Sequence, residues 1–522
     1  MQAGQDYTVS LAPGDGTILL LGSEKEFSEV KHDYFRKWFR SPPPNRDPAT
    51  GQYRLDFMPF GIYIGDHTAE FYQQRAAAMG LTIWQWYDRV FKTIRAGGAN
   101  TIYIQGGGYI ERNGELTAKV FADFAAARGF KVIVQPNDAY FGGSCFAGWK
   151  TNAGKPDANL GEFFSDYILP RLEQYLPRYR DNRSIFAWCP VEEFPAADEK
   201  YFTEYKKLLH TLAPRQLHFQ LDSQQNTIEE LKSKQPPFPD LFAKDRYCWW
   251  LAENGPHLFL WTPHFASRWL YNTIQPYAAN VHTLFQGQAI CVLQGPAEFT
   301  FYGEDSAKAW GWKAEKDFVC PTSTVRYFEK QKRWGGFNRY LPPPNAERLS
   351  AWLAVCAGYK GVMLWAALLD GPESVQNLLA QEHPAVNSSA MIGILHGDLT
   401  TTPQWNELAA TWLQLKKLER LILSMAPSDS AYATSQDPHI FLNSFTDAKG
   451  RRYLVVVNGL IGHWDETNPD WLNYPKTKLA VGMDGNLINY TALKEPRKIM
   501  LKLTNDSEVY DLRSLRNLKS AP

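Results

Sequence analysis

The sequence predicts an α/β protein, a (β/α)8 TIM barrel followed by a C-terminal antiparallel β-sandwich. Between about residues 55 and 420, eight short apolar runs alternate with segments of helical periodicity. The runs are almost continuously apolar, as expected of parallel strands that are covered on both faces. After about residue 425 the chain changes to alternating strands with Asp-Gly and Asn turns, which is typical of a sandwich.

The eight runs give the order of the predicted barrel strands. They are residues 57–64, 100–105, 131–135, 184–191, 216–221, 246–251, 288–294 and 361–368. Segments such as WYDRVFKTIRAGGA lie between them, with apolar residues at helical spacing and a closing glycine. A doubly wound open sheet is the alternative. Neither GxGxxG nor GxxxxGK[ST] follows the first run, which favours the barrel.

At 522 residues the chain is long enough for more than one core. We divide it into an N-terminal hairpin (1–22), a linker (23–54), the barrel (55–425) and the sandwich (426–522). The stretch DYTVSLAPGDGTILLLG predicts a strand, a turn and a strand, which are too few to form a sheet alone. We therefore expect the hairpin to complete the C-terminal sandwich, within one chain or exchanged between two chains of a homo-oligomer.

The charge balance excludes two kinds of partner. The chain has 55 basic and 55 acidic residues, so neither nucleic acid nor an anionic membrane surface is expected. No run of about 18 apolar residues predicts a membrane span. The 18 Trp, 26 Tyr and 30 Phe favour a neutral, flat ligand such as a sugar ring. The six cysteines lack a metal-binding spacing, and pairing of Cys145 with Cys320 stays open.

The active site of such a barrel lies at the C-terminal ends of its strands, so we inspect the residues that close or follow each run. The candidates are Asp66, Tyr103, Asn137, Glu192, Glu193, Asp222, Trp249, Glu253, Glu298 and Trp365. Cleavage of a glycosidic bond needs one protonated carboxyl group and one ionised carboxylate. Aromatic rings and amides around them suit a sugar. Signatures of phosphoryl and hydride transfer are absent, and we expect neither a cofactor nor a metal ion.

The fourth run carries the most specific motif. IFAWCPVEEFP resembles the strand-four signature of the clan A glycoside hydrolases, in which a Trp is followed by Asn-Glu-Pro. Trp188 takes the Trp position, Glu192 the Asn position and Glu193 the acid/base position, while the proline comes one residue late, at Pro195. FMPFGIY, GGANTIYI, RGFKVIVQ and AVCAGYKGVMLWAALLDG are similar to strands one, two, three and eight of these barrels. The resemblance covers about residues 55–420.

The resemblance implies a retaining glycoside hydrolase that acts on a β-linked or equivalently equatorial bond of an oligo- or polysaccharide. Glu193 is then the acid/base and Glu298 the nucleophile, with Glu253 and Asp222 as rivals for the second role. A retaining mechanism places the two carboxyl groups about 5–5.5 Å apart, and inversion about 6.5–9.5 Å apart. The expected sugar contacts are Glu192, Trp365, Trp249, Asp222, Asn137, Glu253, Tyr103 and Asp66.

Two other functions stay open. The imperfect strand-four and strand-seven motifs leave room for a non-catalytic carbohydrate-binding protein on a degenerate hydrolase barrel. A metal-dependent barrel lyase or isomerase is the third reading, with Asp66, His67 and Asp138 as scattered ligand candidates. We expect a secreted or periplasmic protein, although MQAGQDYTVS is not a signal peptide.

Overall fold

The computed structural model describes most of the barrel and the sandwich. The described residues are 6–35, 52–64, 69–104, 111–112, 115–135, 149–189, 199–222, 228–232, 234, 236, 238–245, 270–320, 324–366, 368–386, 388–464, 483–487, 490–505 and 507–518. Among the described helices, none combines the length and the apolar character needed to cross a lipid bilayer.

Eight parallel strands close into a barrel in the order of the chain, and the eighth pairs with the first. Barrel strands one to eight are Phe60–Ile64, Thr101–Ile104, Lys131–Val134, Ile185–Trp188, Leu217–Asp222, Leu241–Asp245, Ala289–Gln294 and Gly361–Trp365. The predicted (β/α)8 architecture is confirmed. Seven of the eight strands overlap the predicted runs.

The sixth strand is the exception, and its predicted position at 246–251 is wrong. The strand is Leu241–Asp245, with the sequence LFAKD. Its last two residues, Lys244 and Asp245, are 2% and 0% exposed. Two charged residues at the end of a five-residue strand break the apolar run, so the apolar pattern pointed to the stretch beyond it. The predicted site residues Trp249 and Glu253 follow this shorter strand and lie outside the described residues.

The helices surround the barrel, and the sequence of helix Ile83–Ala96 explains why it forms. Helix Ile83–Ala96 begins after Thr82, whose side chain accepts a hydrogen bond from the backbone of Gln85 in a capping box. Its buried residues recur at helical spacing. The described helices are Glu24–Val30, Ala69–Ala78, Ile83–Ala96, Thr117–Ala126, Leu160–Phe163, Leu169–Tyr179, Glu199–Leu212, Ile228–Lys232, Gln275–Phe285, Glu304–Trp310, Pro344–Ala357, Glu373–Ala380 and Pro403–Ser424, with π-helical turns at Lys31–Phe35, Phe164–Ile168 and Leu270–Ile274.

Side chains alternate between the inside of the barrel and the layer of helices, because neighbouring residues of a strand point to opposite faces. In strands five and six, Leu217, Phe219, Leu221, Leu241 and Ala243 pack into the barrel interior. Residues at the alternate positions face the helices, as Phe242 does. This alternation decides which of the residues at the strand ends point toward the barrel axis.

The C-terminal sandwich contains both predicted N-terminal strands. Its three-stranded sheet has the order Asp6–Leu11, Arg497–Leu503, Ala433–Thr434. Its six-stranded sheet has the order Ala426–Pro427, Ile440–Thr446, Arg452–Asn458, Gly16–Gly22, Glu508–Asp511, Arg516–Leu518. The two strands of the N-terminal segment thus join different sheets of the same chain, and the prediction that this segment completes the sandwich is confirmed. Exchange of the segment between two chains stays a prediction.

Strand Gly16–Gly22 is covered on both faces, which explains its continuous apolar sequence. Leu19 and Leu21 pack between the two sheets, whereas Ile18 and Leu20 belong to the large core shared with the barrel. The turn before it contains Gly14 at φ +75°, where an added Cβ would overlap the backbone oxygen of Asn345. The turn therefore packs directly against the start of helix Pro344–Ala357.

An additional antiparallel sheet follows the seventh barrel strand, in a region for which the sequence predicted no strands. Its four strands have the order Arg326–Phe328, Arg333–Arg339, Ala297–Tyr302, Ser389–Ile392. Phe299, Phe301 and Phe337 bury one face of it against the barrel core. Three two-stranded pairs complete the list of strands: Glu111–Arg112 with Glu115–Leu116, Leu368–Leu369 with Leu395–His396, and Gly462–Trp464 with Tyr490–Ala492.

Candidate active site

The C-terminal ends of strands seven and eight are cross-linked by hydrogen bonds. Gln294 and Trp365 close the two strands as neighbours in the sheet. The backbone N–H of Gly295 donates to the carbonyl oxygen of Trp365 at 3.1 Å. The side-chain amide of Gln294 donates to the carbonyl oxygens of Pro296 and Tyr340. These bonds fold the segment after strand seven back over the end of strand eight.

This fold-back brings Glu298 to the barrel mouth, by which we mean the C-terminal ends of the eight strands. Glu298 is the second residue of strand Ala297–Tyr302 and lies opposite Arg339 in the antiparallel pair, next to a register shift. Its carboxylate forms an ion pair with the guanidinium of Arg339 at 3.2 Å. Both side chains are partly buried, with exposed fractions of 14% and 16%. The predicted nucleophile therefore lies on a strand of the additional sheet, beyond the end of the barrel strand.

Arg339 also contacts the predicted sugar platform. Its guanidinium carbon lies 4.6 Å from the ring centroid of Trp365, a cation–π contact. Trp365 is partly buried and packs on the cluster inside the barrel. Glu298, Arg339 and Trp365 thus form one contiguous group, which we call the mouth triad. Sequence reasoning predicted Glu298 and Trp365 and missed Arg339, since no local motif marks it.

Tyr103 lies in the interior of the barrel and is fully buried. Its ring stacks on Tyr63, with centroids 4.1 Å apart, and lies 5.9 Å from the ring of Phe219. In this conformation its side chain offers no exposed surface to a sugar. The aromatic packing fills the barrel below the mouth, as side-chain layers do in this fold.

Asp222 ends strand five but faces the helices, since the inward positions of that strand belong to Leu217, Phe219 and Leu221. It is 3% exposed. Its carboxylate accepts hydrogen bonds from Tyr277 at 2.7 Å and Gln220 at 2.8 Å, and pairs with Lys234 at 3.4 Å.

Electrostatics agree with a structural role for Asp222. Burial raises the pKa of this carboxyl, but Lys234 and Lys244, with the hydrogen bonds of Tyr277 and Gln220, hold its pKa below the ordinary value. We call Asp222, Lys234, Lys244 and Tyr277 the buried ion-pair group. It binds strands five and six to helix Gln275–Phe285.

Asp245 is a carboxylate that the sequence interpretation missed, because the sixth strand was placed too late. It closes strand six and is fully buried. Leu241 and Ala243 point inward, so the alternation of the strand places Asp245 on the inward side, beside Val292 of strand seven. It is a second acidic residue at the mouth.

The strand-four motif is described only in part. Ala187 and Cys189 pack inside the barrel. Trp188 faces outward, where its indole N–H donates to the side-chain oxygen of Gln216. The other predicted site residues lie outside the described residues: Asp66, Asn137, Glu192, Glu193, Trp249 and Glu253. Cys145 lies outside them as well, whereas Cys320 is buried. Within the described part of the chain, no group of three His, Cys, Asp or Glu side chains is placed to hold a metal ion.

Comparisons with known proteins give structural likenesses only. No family profile matches the chain, and no curated protein matches it. Among solved structures, a glycoside hydrolase family 5 mannosidase from Rhizomucor miehei is 11% identical, with a TM-score of 0.45, over 72% of this chain and 98% of the mannosidase. A β-galactosidase from Marinomonas ef1 is 10% identical, with a TM-score of 0.43, over 70% and 62% of the two chains. An exo-β-1,4-mannosidase from Opitutaceae bacterium strain TAV5 is 13% identical, with a TM-score of 0.42, over 75% and 64%.

Proposed function

We propose that this protein is a glycoside hydrolase that cleaves O-glycosidic bonds of an oligo- or polysaccharide. The mouth triad is the observation that carries the proposal. In this triad the carboxylate of Glu298 and the ring of Trp365 contact the same guanidinium, that of Arg339, at the end of the barrel where active sites of this fold lie. A carboxylate that reaches an anomeric carbon, beside a ring on which a sugar stacks, is what glycoside hydrolysis requires.

The proposed mechanism uses Glu193 and Glu298. Glu193 protonates the leaving oxygen while the carboxylate of Glu298 attacks the anomeric carbon and forms a covalent glycosyl-enzyme. Glu193 then removes a proton from water, which displaces Glu298 and releases the sugar with its configuration retained. Arg339 holds the Glu298 carboxylate in position through the ion pair. Trp365 lies under the guanidinium and supports one side of the sugar.

The remaining sugar contacts are proposed from the sequence. Glu192, Asn137, Asp66, Trp249 and Glu253 keep the roles that the resemblance implies. Asp222 and Tyr103 are better explained as packing residues, because both are buried in the structure. Secretion or export to a periplasm fits an enzyme acting on such a substrate and belongs to the same proposal.

One observation favours a second candidate, a non-catalytic carbohydrate-binding protein. The Arg339 guanidinium forms an ion pair with the Glu298 carboxylate. If that pair persists with sugar bound, the carboxylate cannot attack, and the triad would act only as a binding surface.

A panel of aryl β-glycosides and soluble β-linked polysaccharides separates the two candidates. The wild-type protein should release the aryl group or new reducing ends, with the β-anomer as the first product in proton NMR spectra. Glu193→Gln should lower the rate by about 10²–10⁴-fold, since general acid catalysis is lost. Glu298→Ala should be inactive and regain turnover with azide, giving an α-glycosyl azide.

Glu315→Gln is the matched control, because Glu315 is an exposed glutamate in the segment between strands Ala297–Tyr302 and Arg326–Phe328 of the additional sheet. It should retain wild-type activity. Sugar binding without any turnover, unchanged by Glu193→Gln, would replace the hydrolase with the binding protein. Turnover that a chelator abolishes would instead favour the metal-dependent lyase or isomerase.

A further inference from the structure

A cavity of about 410 Å³ lies at the end of the barrel opposite to the mouth. It is lined by the first residues of strands three, four and five, which are Lys131, Ile185 and Leu217. In barrels of this fold the N-terminal ends of the strands lie away from the active site. The volume falls within the range of about 300–1,000 Å³ that is typical of small-ligand sites. Neither the mouth triad nor any residue of the proposed mechanism lines this cavity.

The charged side chains around the cavity are mostly cationic. Four cationic side chains line it: Lys131, Arg180, Arg183 and Arg215. Two carboxylates oppose them, and one of these, Asp181, is already shared between Arg180 at 3.4 Å and Arg215 at 3.9 Å. In the described part of the chain, Lys131 and Arg183 form no ion pair. Their positive charge is therefore available to an anion.

The floor of the cavity is polar and held in place. Gln216 donates to the carbonyl oxygens of Tyr179 and Asn182, and its own side-chain oxygen accepts from Trp188. The side-chain oxygen of Asn182 accepts from the backbone of Ser184 at 2.8 Å. The other end of that amide, Nδ2, is buried without an acceptor among the described residues.

One wall of the cavity is aromatic. Tyr53 and Phe186 both line it and meet edge to face, with ring centroids 6.1 Å apart. Phe57 packs on the other side of Phe186 at 5.3 Å. An anion that binds in this cavity therefore lies among cationic side chains, with two aromatic rings on one side.

We propose that this cavity binds a small organic oxyanion, a phosphate or carboxylate group carried on a ring or another apolar body. Lys131 and Arg183 bind the oxyanion, and Tyr53 and Phe186 cover the apolar part. The site is independent of the chemistry at the mouth, and the proposal stands whether or not the mouth cleaves sugars.

Isothermal titration calorimetry on the full chain tests this with phenyl phosphate, inorganic phosphate and benzyl alcohol as probes. Phenyl phosphate should bind saturably with one site per chain, more tightly than inorganic phosphate, and added NaCl should weaken it. Benzyl alcohol, which lacks the anion, should not bind. The double variant Lys131→Gln/Arg183→Gln should weaken phenyl phosphate by at least about tenfold, which corresponds to 1.4 kcal/mol. Both side chains are exposed, so the variant should fold normally.

Arg178→Gln is the matched control, since Arg178 is an exposed arginine on the neighbouring helix and does not line the cavity. It should bind phenyl phosphate as the wild type does. Phenyl phosphate should raise the Tm of the wild type and of Arg178→Gln, but not that of the double variant. The proposal is overturned by an absence of saturable binding or by equal affinity in the double variant. Loss of binding in Arg339→Gln would also overturn it, because that would locate the anion beside the cation of the mouth triad.

Discussion

Two sectors of the barrel hold their charged residues in opposite ways. In strands five and six, Asp222, Lys234 and Lys244 lie between the strands and the helices, with 3%, 8% and 2% of their surface exposed. At the ends of strands seven and eight, Glu298 and Arg339 lie above the barrel and remain partly open to solvent. Both sectors contain an acid paired with a cation at a strand end, yet only the second pair lies above the barrel and is partly exposed to solvent.

The difference follows from the side of the strand on which each acid lies. Asp222 is the neighbour of an inward leucine, so its side chain points to the helices, where a carboxylate needs a permanent cation and hydrogen bonds. Glu298 follows a fold-back that carries it past the strand end. Proximity to a strand end is therefore insufficient to predict a site residue. Whether the side chain points into the barrel or toward the helices decides if it can contribute to the site.

The largest effect is expected for Asp222→Ala. The substitution leaves Lys234 and Lys244 buried without their carboxylate, and breaking such a pair costs about 3–5 kcal/mol. Urea unfolding should show this loss of stability, whereas the activity per folded molecule should stay near that of the wild type. Glu204→Gln, in an exposed pair with Lys207, is the control and should change the stability by less than about 1 kcal/mol. A specific loss of activity at full stability would instead assign Asp222 to the active site.

The second effect concerns Lys360, a buried lysine just before strand eight that pairs with no carboxylate among the described residues. The ammonium of Lys360 donates to the carbonyl oxygens of Ile422 and Met425 at the end of helix Pro403–Ser424. Burial lowers the pKa of Lys360 from 10.5 to about 7. Between these two values the unfolded chain holds a proton that the folded chain has released. The free energy of unfolding therefore rises with pH across this window, by up to about 1.4 kcal/mol per pH unit.

Urea unfolding of the wild type and Lys360→Met at pH 6, 7, 8 and 9 measures this contribution. The wild type should gain stability relative to the variant as the pH rises, and the difference should level off below about pH 7, where both states hold the proton. Parallel pH profiles would show that Lys360 keeps an ordinary pKa in the fold. Lys360 would then differ from Lys234 and Lys244 only in its hydrogen-bond partners, which are carbonyl oxygens instead of a carboxylate.

The smallest effect is expected for Arg339→Gln. Loss of the guanidinium frees the Glu298 carboxylate and removes the contact with Trp365, so kcat should fall by about tenfold, which is 1.4 kcal/mol of barrier. The stability should change little, since the pair is partly exposed. Arg326→Gln, on another strand of the same sheet, is the control. A rise in the kcat of Arg339→Gln would show that Arg339 restrains Glu298 instead of positioning it. Arg339→Lys keeps the positive charge, so it should recover part of the wild-type rate if charge alone suffices.

The sequence carried enough information for the barrel order, because seven strands are apolar runs and each is followed by helical periodicity. It failed at strand six, where Lys244 and Asp245 are buried charged residues that an apolar pattern does not include. The outward position of Asp222 follows from the sequence QLHFQL, in which polar residues alternate with Leu217, Phe219 and Leu221. The next residue, Asp222, falls on the polar side of this alternation. Arg339 was not readable, since its contacts with Glu298 and Trp365 arise only when the additional sheet folds over strand eight.

The position of strand Gly16–Gly22 sets the order in which this protein is completed during synthesis. Strand Gly16–Gly22 precedes the barrel in the chain, whereas its two sheet neighbours, Arg452–Asn458 and Glu508–Asp511, follow the barrel and are synthesised after it. Until then an apolar strand with unpaired backbone groups stays exposed, which is the condition under which nascent chains associate with one another. The pairing of Gly16–Gly22 with Glu508–Asp511 joins residues that are far apart in the sequence, the kind of contact that slows folding. The six-stranded sheet of the sandwich therefore cannot be completed until the barrel segments have been synthesised.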